Sequence, residues 1–378
     1  MTNHRPSASL PPRSVAVVLG TRPEIIKLSE IVRLLGPAAL LIHTGQHYDT
    51  NLSEIFFQQF GLPTPDIYLG IGGSARGQQI GEAIQALDVV FADTSPVAVV
   101  AQGDTNTVLA AAVAANAREV PLVHVEAGLR SFDRSMPEEH NRVVTDHLSD
   151  LLLAPTTTAF GNLVAEAIPE HQINVTGNTV VESVRRLLPT GDEAGSILQS
   201  HGVEKNGYVL ATMHRPENVD DPGTLEAILR QLAALPIPVI FPVHPRTAGQ
   251  IASFRLADHQ ASLRLIDPIG YQEFLALGAG SAFLVSDSGG VQEEVSVYKR
   301  PLIVVRRSTE RPEVLGTFAE LVPPGDDIEA VASVWLSDIA GVHKRIASFA
   351  SPYGDGTASQ QSVNAIKALV NGARAVPN

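Results

Sequence analysis

The chain has 378 residues, 44% of them hydrophobic and 18% charged, and a formal net charge of −13 at pH 7. That length fits two domains of average size better than one, and no apolar run is long enough to span a membrane. Cysteine is absent, which excludes a disulfide framework, a thiolate nucleophile and a cysteine metal site and fits a cytoplasmic location. The acidic balance argues against a nucleic-acid backbone as partner, so an anionic ligand must be met by local arginines and helix ends.

The first segment, MTNHRPSASLPPRS, is polar and proline-rich, and reads as a disordered tail over 1–13 rather than a signal peptide. Short β-branched runs then alternate with longer amphipathic segments. SVAVVLG (14–20) leads to a helix over Glu24–Leu35, and AALLIHTG (38–45) leads to helices through Asn51–Phe60 and Gln78–Phe91. VAVVAQG (97–103), an alanine-rich helix near Thr107–Arg118, VPLVHVE (120–126), a helix from about Glu139 and LLLAP (151–155) follow. After a helix at 179–188 the pattern restarts with YVLATMH (208–214), a helix at 222–235, PVIFPVH (238–244), RLID (264–267), AFLVSDS (282–288), PLIVVR (301–306) and ELVP (320–323).

Apolar strands buried on both faces and separated by helices imply parallel sheets with right-handed crossovers. The fold class is therefore α/β, with two doubly wound Rossmann-like domains facing a cleft. The first domain spans 14–180 and is completed by a C-terminal helix over 357–378; the second spans 181–356. Ligands in such folds bind beyond the carboxyl ends of the strands, here in the interdomain cleft.

Chemistry collects at those strand ends. GTRPEIIK turns at Gly20 and can cap at Thr21, which aims Arg22 and Lys27 toward a ligand. QGDTNT places Asp104 at a strand end before a helix, where an aspartate also serves as an ordinary N-cap. HVEAGLR puts Glu126 at the next strand end. MPEEHNR opens a helix with Glu138 in its first turn, favoured by the dipole; Glu139 falls on another face and reads as exposed. TMHRPEN sets His214 and Arg215 after a strand, a pairing that suits a phosphate contact. SDSGGVQEE runs strand, Ser288-Gly289-Gly290, helix, so that backbone amides can approach a diphosphate at the positive helix end, while Glu293 and Glu294 one turn in can reach ribose hydroxyls. RSTERPE (307–313) adds an arginine-rich loop. Gly70-Ile71-Gly72-Gly73-Ser74-Ala75 matches a dinucleotide fingerprint only by letter, because no acidic partner follows at the needed distance.

Taken in order, GTRPEIIK, TGQHYD, QGDTNT, HVEAGLR, MPEEHNR, TGNTVVE, TMHRPEN, SDSGGVQEE, TERPE and PYGDG (352–356) resemble the UDP-N-acetylglucosamine 2-epimerase family over roughly residues 14–370. The resemblance implies a glycosyltransferase-B-type fold, interconversion of UDP-GlcNAc and UDP-ManNAc without a cofactor or metal, and a homodimer. It implies catalytic roles for Asp104, Glu126 and Glu138 and a role in UDP departure for His214. Arg22, Lys27, Arg142, Arg215, Ser288, Gly289, Gly290, Glu294 and Arg311 fall at positions associated with the UDP-sugar. Many bacterial members carry arginines of a second, activating substrate site where this chain has Tyr48 and Pro216. Neither can replace a guanidinium, so activation by substrate is expected to be weak or absent. The same residues admit a hydrolysing epimerase that releases ManNAc and UDP, a glycosyltransferase, or a non-catalytic nucleotide-sugar sensor.

Overall fold

The computed structural model describes residues 15–46, 57–256 and 263–373. The tail expected over 1–13, Tyr48, and the first part of the helix expected over Asn51–Phe60 lie outside the described residues. By its contacts the chain divides into one unit formed by Met1–Ser183 with Tyr353–Asn378, and a second formed by Val184–Pro352.

Unit 1 is built on seven parallel strands: β1 (Val15–Leu19), β2 (Ala39–His43), β3 (Ile67–Tyr68), β4 (Ala98–Gln102), β5 (Leu122–Val125), β6 (Leu151–Ala154) and β7 (Ile173–Val175). They lie in the order β3-β2-β1-β4-β5-β6-β7. All five residues of β1 and all of β4 and β5 are buried, as a sheet covered by helices on both faces requires. Each fully buried Val, Leu or Ile contributes about 1.5–3 kcal/mol relative to exposure. The helix Asn106–Ala117 is half alanine and buried over most of its surface, so its neighbours Arg76–Thr94 and Pro137–Leu148 pack closely against it. The last helix, Ala358–Ala373, packs on the helix Arg22–Leu35. It is pinned by Glu182, which accepts hydrogen bonds from Ser359 N (2.8 Å) and Oγ (3.0 Å).

Unit 2 repeats the plan with six parallel strands: β8 (Val209–Thr212), β9 (Val239–Pro242), β10 (Leu263–Ile266), β11 (Phe283–Ser286), β12 (Leu302–Val305) and β13 (Ala319–Val322). Their order is β10-β9-β8-β11-β12-β13. The α/β, doubly wound fold class read from the sequence therefore holds. Strands β3 and β7 were not anticipated; they have two and three residues, too few to show a pattern. The β10 strand begins one residue earlier than the run read as RLID. Among the described residues no helix is long and apolar enough to cross a membrane.

In both units the strand order reverses between the first strand and the fourth, β1 and β4 in one, β8 and β11 in the other. That reversal opens a crevice at the carboxyl edge, where α/β sheets take their ligands. Close approach is built in at the first of these points. A Cβ on Gly20, directly after β1, would come 2.2 Å from Thr44 Oγ1 and 2.3 Å from Thr107 Oγ1, so any side chain there would force β1, β2 and the helix after β4 apart.

Candidate active site

Each unit carries a cluster of polar side chains at its switch point. Asp104 leaves β4 and Glu126 leaves β5, strands whose register pairs Gln102 with Val125, which makes the two carboxylates neighbours at the sheet edge. Asp104 is not the helix cap: Thr105 is, its side chain accepting from Val108 N. Asp104 is half-buried and pairs with Arg142, which also donates to Glu139 Oε2 at 2.5 Å. Asn141 Nδ2 holds the Asp104 carbonyl at 2.8 Å.

Glu126 is buried and adopts φ +68°, a left-handed conformation that a non-glycine residue adopts rarely and at a cost of about 1–3 kcal/mol. It pairs with the buried Lys27, and Asn178 Nδ2 donates to its Oε2 at 2.9 Å. Glu138 stands half-buried in the first turn of the helix Pro137–Leu148. Beside this group, Glu24 accepts from Gly20 N (2.6 Å), Thr21 N (2.7 Å) and Thr105 Oγ1 (2.5 Å), and so ties the turn after β1 to the turn after β4. Burial pushes the Glu24 carboxyl up to about 7, outweighing the hydrogen bonds from Thr105 and the two amides, which pull it down.

One expectation needs correction here. Glu139 is not exposed: it is 5% accessible and accepts from Ser131 N (3.0 Å), Ser131 Oγ (2.9 Å) and Phe132 N (2.9 Å) as well as from Arg142. A helical wheel cannot foresee that the 131–132 loop folds over that face. Arg142, 2% accessible, lies between Glu139 and Asp104 and so stands beside the strand-end carboxylate. Arg22, in the first turn of its helix, is half-buried.

In unit 2 the switch point is organised by Asp287, fully buried at the end of β11. It accepts from the backbone amides of His214 (3.0 Å) and Arg215 (2.9 Å) and from Asn218 Nδ2 (2.9 Å), and its Oδ1 lies 3.0 Å from His214 Nδ1. Burial alone would raise this carboxyl; the His214 ring, Asn218 and the Arg215 amide outweigh it and hold it at about 2. With Nδ1 turned to Asp287, the His214 ring presents Nε2 at a half-exposed position. Arg215 donates from Nε to the Asp287 carbonyl at 3.1 Å.

Ser288, Gly289 and Gly290 are partly accessible and open the helix Gly289–Tyr298. A Cβ on Gly289 would come 2.5 Å from Arg311 Nη1, because Arg311 lies buried against this turn, its Nε 2.6 Å from Glu293 Oε1 and its Nη1 paired with Glu310. Arg311 thus shores up the glycine turn. Glu293 serves it from below, while Glu294 accepts from Tyr271 Oη at 2.9 Å.

Sequence reasoning passed over Asn178, Glu24, Asp287, His124 and Asp146. Asn178 sits in TGNTVVE and Asp287 in SDSGGVQEE, so both motifs were visible without their polar members being assigned. For His124 the signal was a polar residue inside the apolar run VPLVHV.

These geometries sit on a chain whose residues 37–367 match the family model for UDP-N-acetylglucosamine 2-epimerase. The chain belongs to that family. A UDP-N-acetylglucosamine 2-epimerase of Methanocaldococcus jannaschii is 40% identical over 361 residues, covering 92% of this chain and 97% of the relative. A UDP-2,3-diacetamido-2,3-dideoxy-D-glucuronate 2-epimerase of Pseudomonas aeruginosa is 36% identical, covering 92% and 97%. Among solved structures, the M. jannaschii enzyme in complex with UDP-GlcNAc and UDP superposes with a TM-score of 0.83 at 38% identity, covering 94% and 99%. The Neisseria meningitidis UDP-GlcNAc 2-epimerase bound to UDP-GlcNAc gives 0.85 at 30% identity, covering 94% and 100%.

Proposed function

We propose that the protein is a non-hydrolysing UDP-GlcNAc 2-epimerase that interconverts UDP-GlcNAc and UDP-ManNAc. The observation that carries this reading is that the two units carry different kinds of switch point. One collects carboxylates, Asp104 and Glu126 at adjacent strand ends with Glu138 near; the other collects His214, Arg215 and a glycine turn opening a helix. The relatives named above, two of them bound to UDP-GlcNAc, supply the substrate class.

The chemistry explains why both kinds are needed. The C2 proton of the sugar is not next to a carbonyl, so its direct removal is very costly. Breaking the C1–O bond to UDP lets positive charge develop at C1 and acidifies C2. A carboxylate then takes the C2 proton, the electron pair forms the C1–C2 double bond of 2-acetamidoglucal, and UDP leaves with the former C1–O pair. Protonation of C2 on the other face and return of the UDP oxygen to C1 give the epimer. Asp104, Glu126 and Glu138 are the proton-transfer groups. His214 assists UDP at departure, with Asp287 fixing its ring. Arg22, Lys27, Arg215 and the Ser288–Gly290 amides, with Glu294 toward the ribose, hold UDP. Arg142, which also holds Asp104, and Arg311, which also backs the glycine turn, complete the set around the UDP-sugar. The family resemblance also carries a cytoplasmic homodimer, for which sedimentation gives the mass.

Incubation with UDP-GlcNAc in heavy water, followed by proton and phosphorus NMR, tests the reading. Deuterium should enter C2 as UDP-ManNAc appears, with free UDP staying at trace level. Stoichiometric accumulation of UDP and ManNAc would establish the hydrolysing branch instead, and no exchange at C2 would leave a binding protein.

A further inference from the structure

One buried carboxylate outside the group assigned to proton transfer reaches both loops that carry it, one directly and the other through a histidine. Asp146 lies on the helix Pro137–Leu148, 1% accessible. Its Oδ1 is 2.6 Å from His124 Nδ1, and His124 Nε2 lies 2.8 Å from the carbonyl of Gly103. Its Oδ2 accepts from Gly128 N at 3.2 Å and pairs with Arg130 Nη1 at 2.7 Å. Gly103 is the residue before Asp104, and Gly128 is the second after Glu126. The fully buried His124 ring thus bridges the Asp146 carboxylate and the Gly103 carbonyl. Arg130 is in turn held by Glu166, with Nε and Nη2 each 2.7 Å from a carboxylate oxygen.

We infer that Asp146, acting through His124, is a positioning residue that fixes the Gly103–Asp104 and Glu126–Gly128 loops relative to one another. The inference rests on the reading that Asp104 and Glu126 transfer protons. The physical case is one of tolerance. Both loops leave a rigid sheet edge, but each reacting side chain lies one or two bonds of backbone freedom beyond it, and an error of about 1 Å in such a group costs about 10²-fold in rate. Charge-assisted hydrogen bonds in a water-free interior are the means available to hold two turns to that accuracy. Burial opposes the ionised form of Asp146, and His124 and Arg130 outweigh it.

The test compares wild type with Asp146→Asn and His124→Gln in turnover, KM, C2 exchange in heavy water, UDP affinity by calorimetry and melting temperature. Positioning predicts that kcat and C2 exchange fall together by about 10²-fold, with KM and UDP affinity within about threefold of wild type. A purely architectural role would lower the melting temperature and leave kcat of the folded enzyme within about threefold; that outcome, in either variant folded at the assay temperature, overturns the inference. A parallel loss of kcat and UDP affinity overturns it as well, since it reports general disruption. If Asp146→Asn does not accumulate as folded protein, His124→Gln, which keeps the Asp146–Arg130 pair, decides. A wild-type enzyme without C2 exchange refutes the epimerase reading itself, and so is told apart from a failure of the positioning role.

Discussion

Glu126 combines three features that a structural glutamate has no use for: a left-handed backbone, burial, and an ion pair with a lysine that is itself buried. Each costs free energy, through strain or desolvation, and their coincidence at a sheet edge is what a reacting group looks like. Glu126→Gln and Glu138→Gln should each lower C2 exchange by at least about 10²-fold and leave UDP affinity nearly unchanged; full turnover in both would remove these carboxylates from the mechanism. Asp287→Asn should lower kcat by a similar factor because His214 loses the partner of its Nδ1. The Asp287 carboxyl is depressed to about 2 from 3.8, so its stability contribution is present above pH 4 and is lost as pH falls through 2. The variant should thus be less stable than wild type at pH 7, by about 2 kcal/mol, with the gap closing in acid; urea midpoints at pH 7 and pH 3 measure it. The partners at this scale were the least legible in the sequence. Glu126 and Asn178 are 52 residues apart, and the tie between Asp146 and Gly103 runs through a histidine that reads as part of an apolar strand.

At the scale of elements the sequence was most informative where a strand is buried on both faces. Such strands are continuous apolar runs, and every one of the four- and five-residue strands fell within a residue or two of its expected place. The short edge strands β3 and β7 carry no such run. Helices Gly191–Ser200, Pro245–Phe254 and Tyr271–Gly280 were missed because glycine or proline interrupts or opens them. Where two elements meet at the β1/β4 switch, Glu24 offers a pH test. Its pKa rises from 4.5 unfolded to about 7 folded, so the folded state holds the extra proton between those values. The contribution of this group to stability is therefore full below pH 4.5 and declines as pH rises through 7, by about 3 kcal/mol in all. Glu24→Gln keeps a neutral group of the same shape, and should gain stability relative to wild type between pH 5 and pH 8.5 in urea titrations. A difference that does not change with pH would show that Glu24 stays ionised.

For the whole molecule, the doubly wound plan was legible from the alternation of runs, and the positions of the motifs followed from it, since nearly all begin where a strand ends. Which residues of a motif lie exposed and which brace a turn was not legible, as Glu139 shows. The substitution of Tyr48 and Pro216 at positions where activated relatives carry arginine belongs to this scale too. Initial rates starting from pure UDP-ManNAc should show no lag and no dependence on added traces of UDP-GlcNAc; a strong dependence would restore substrate activation.

The helix Pro137–Leu148 presents Glu138, Asn141, Arg142 and Asp146 along one stripe, and Arg76 from a neighbouring helix grips its far end through Asn141 Oδ1 (2.7 Å) and the Pro137 carbonyl (3.0 Å). The placement of these four side chains thereby depends on a single helix. A shift of that helix would move Glu138, the partner of Asp104 and the contacts of Asp146 in concert. A substitution at the exposed Val144 should therefore act on these contacts together rather than one at a time.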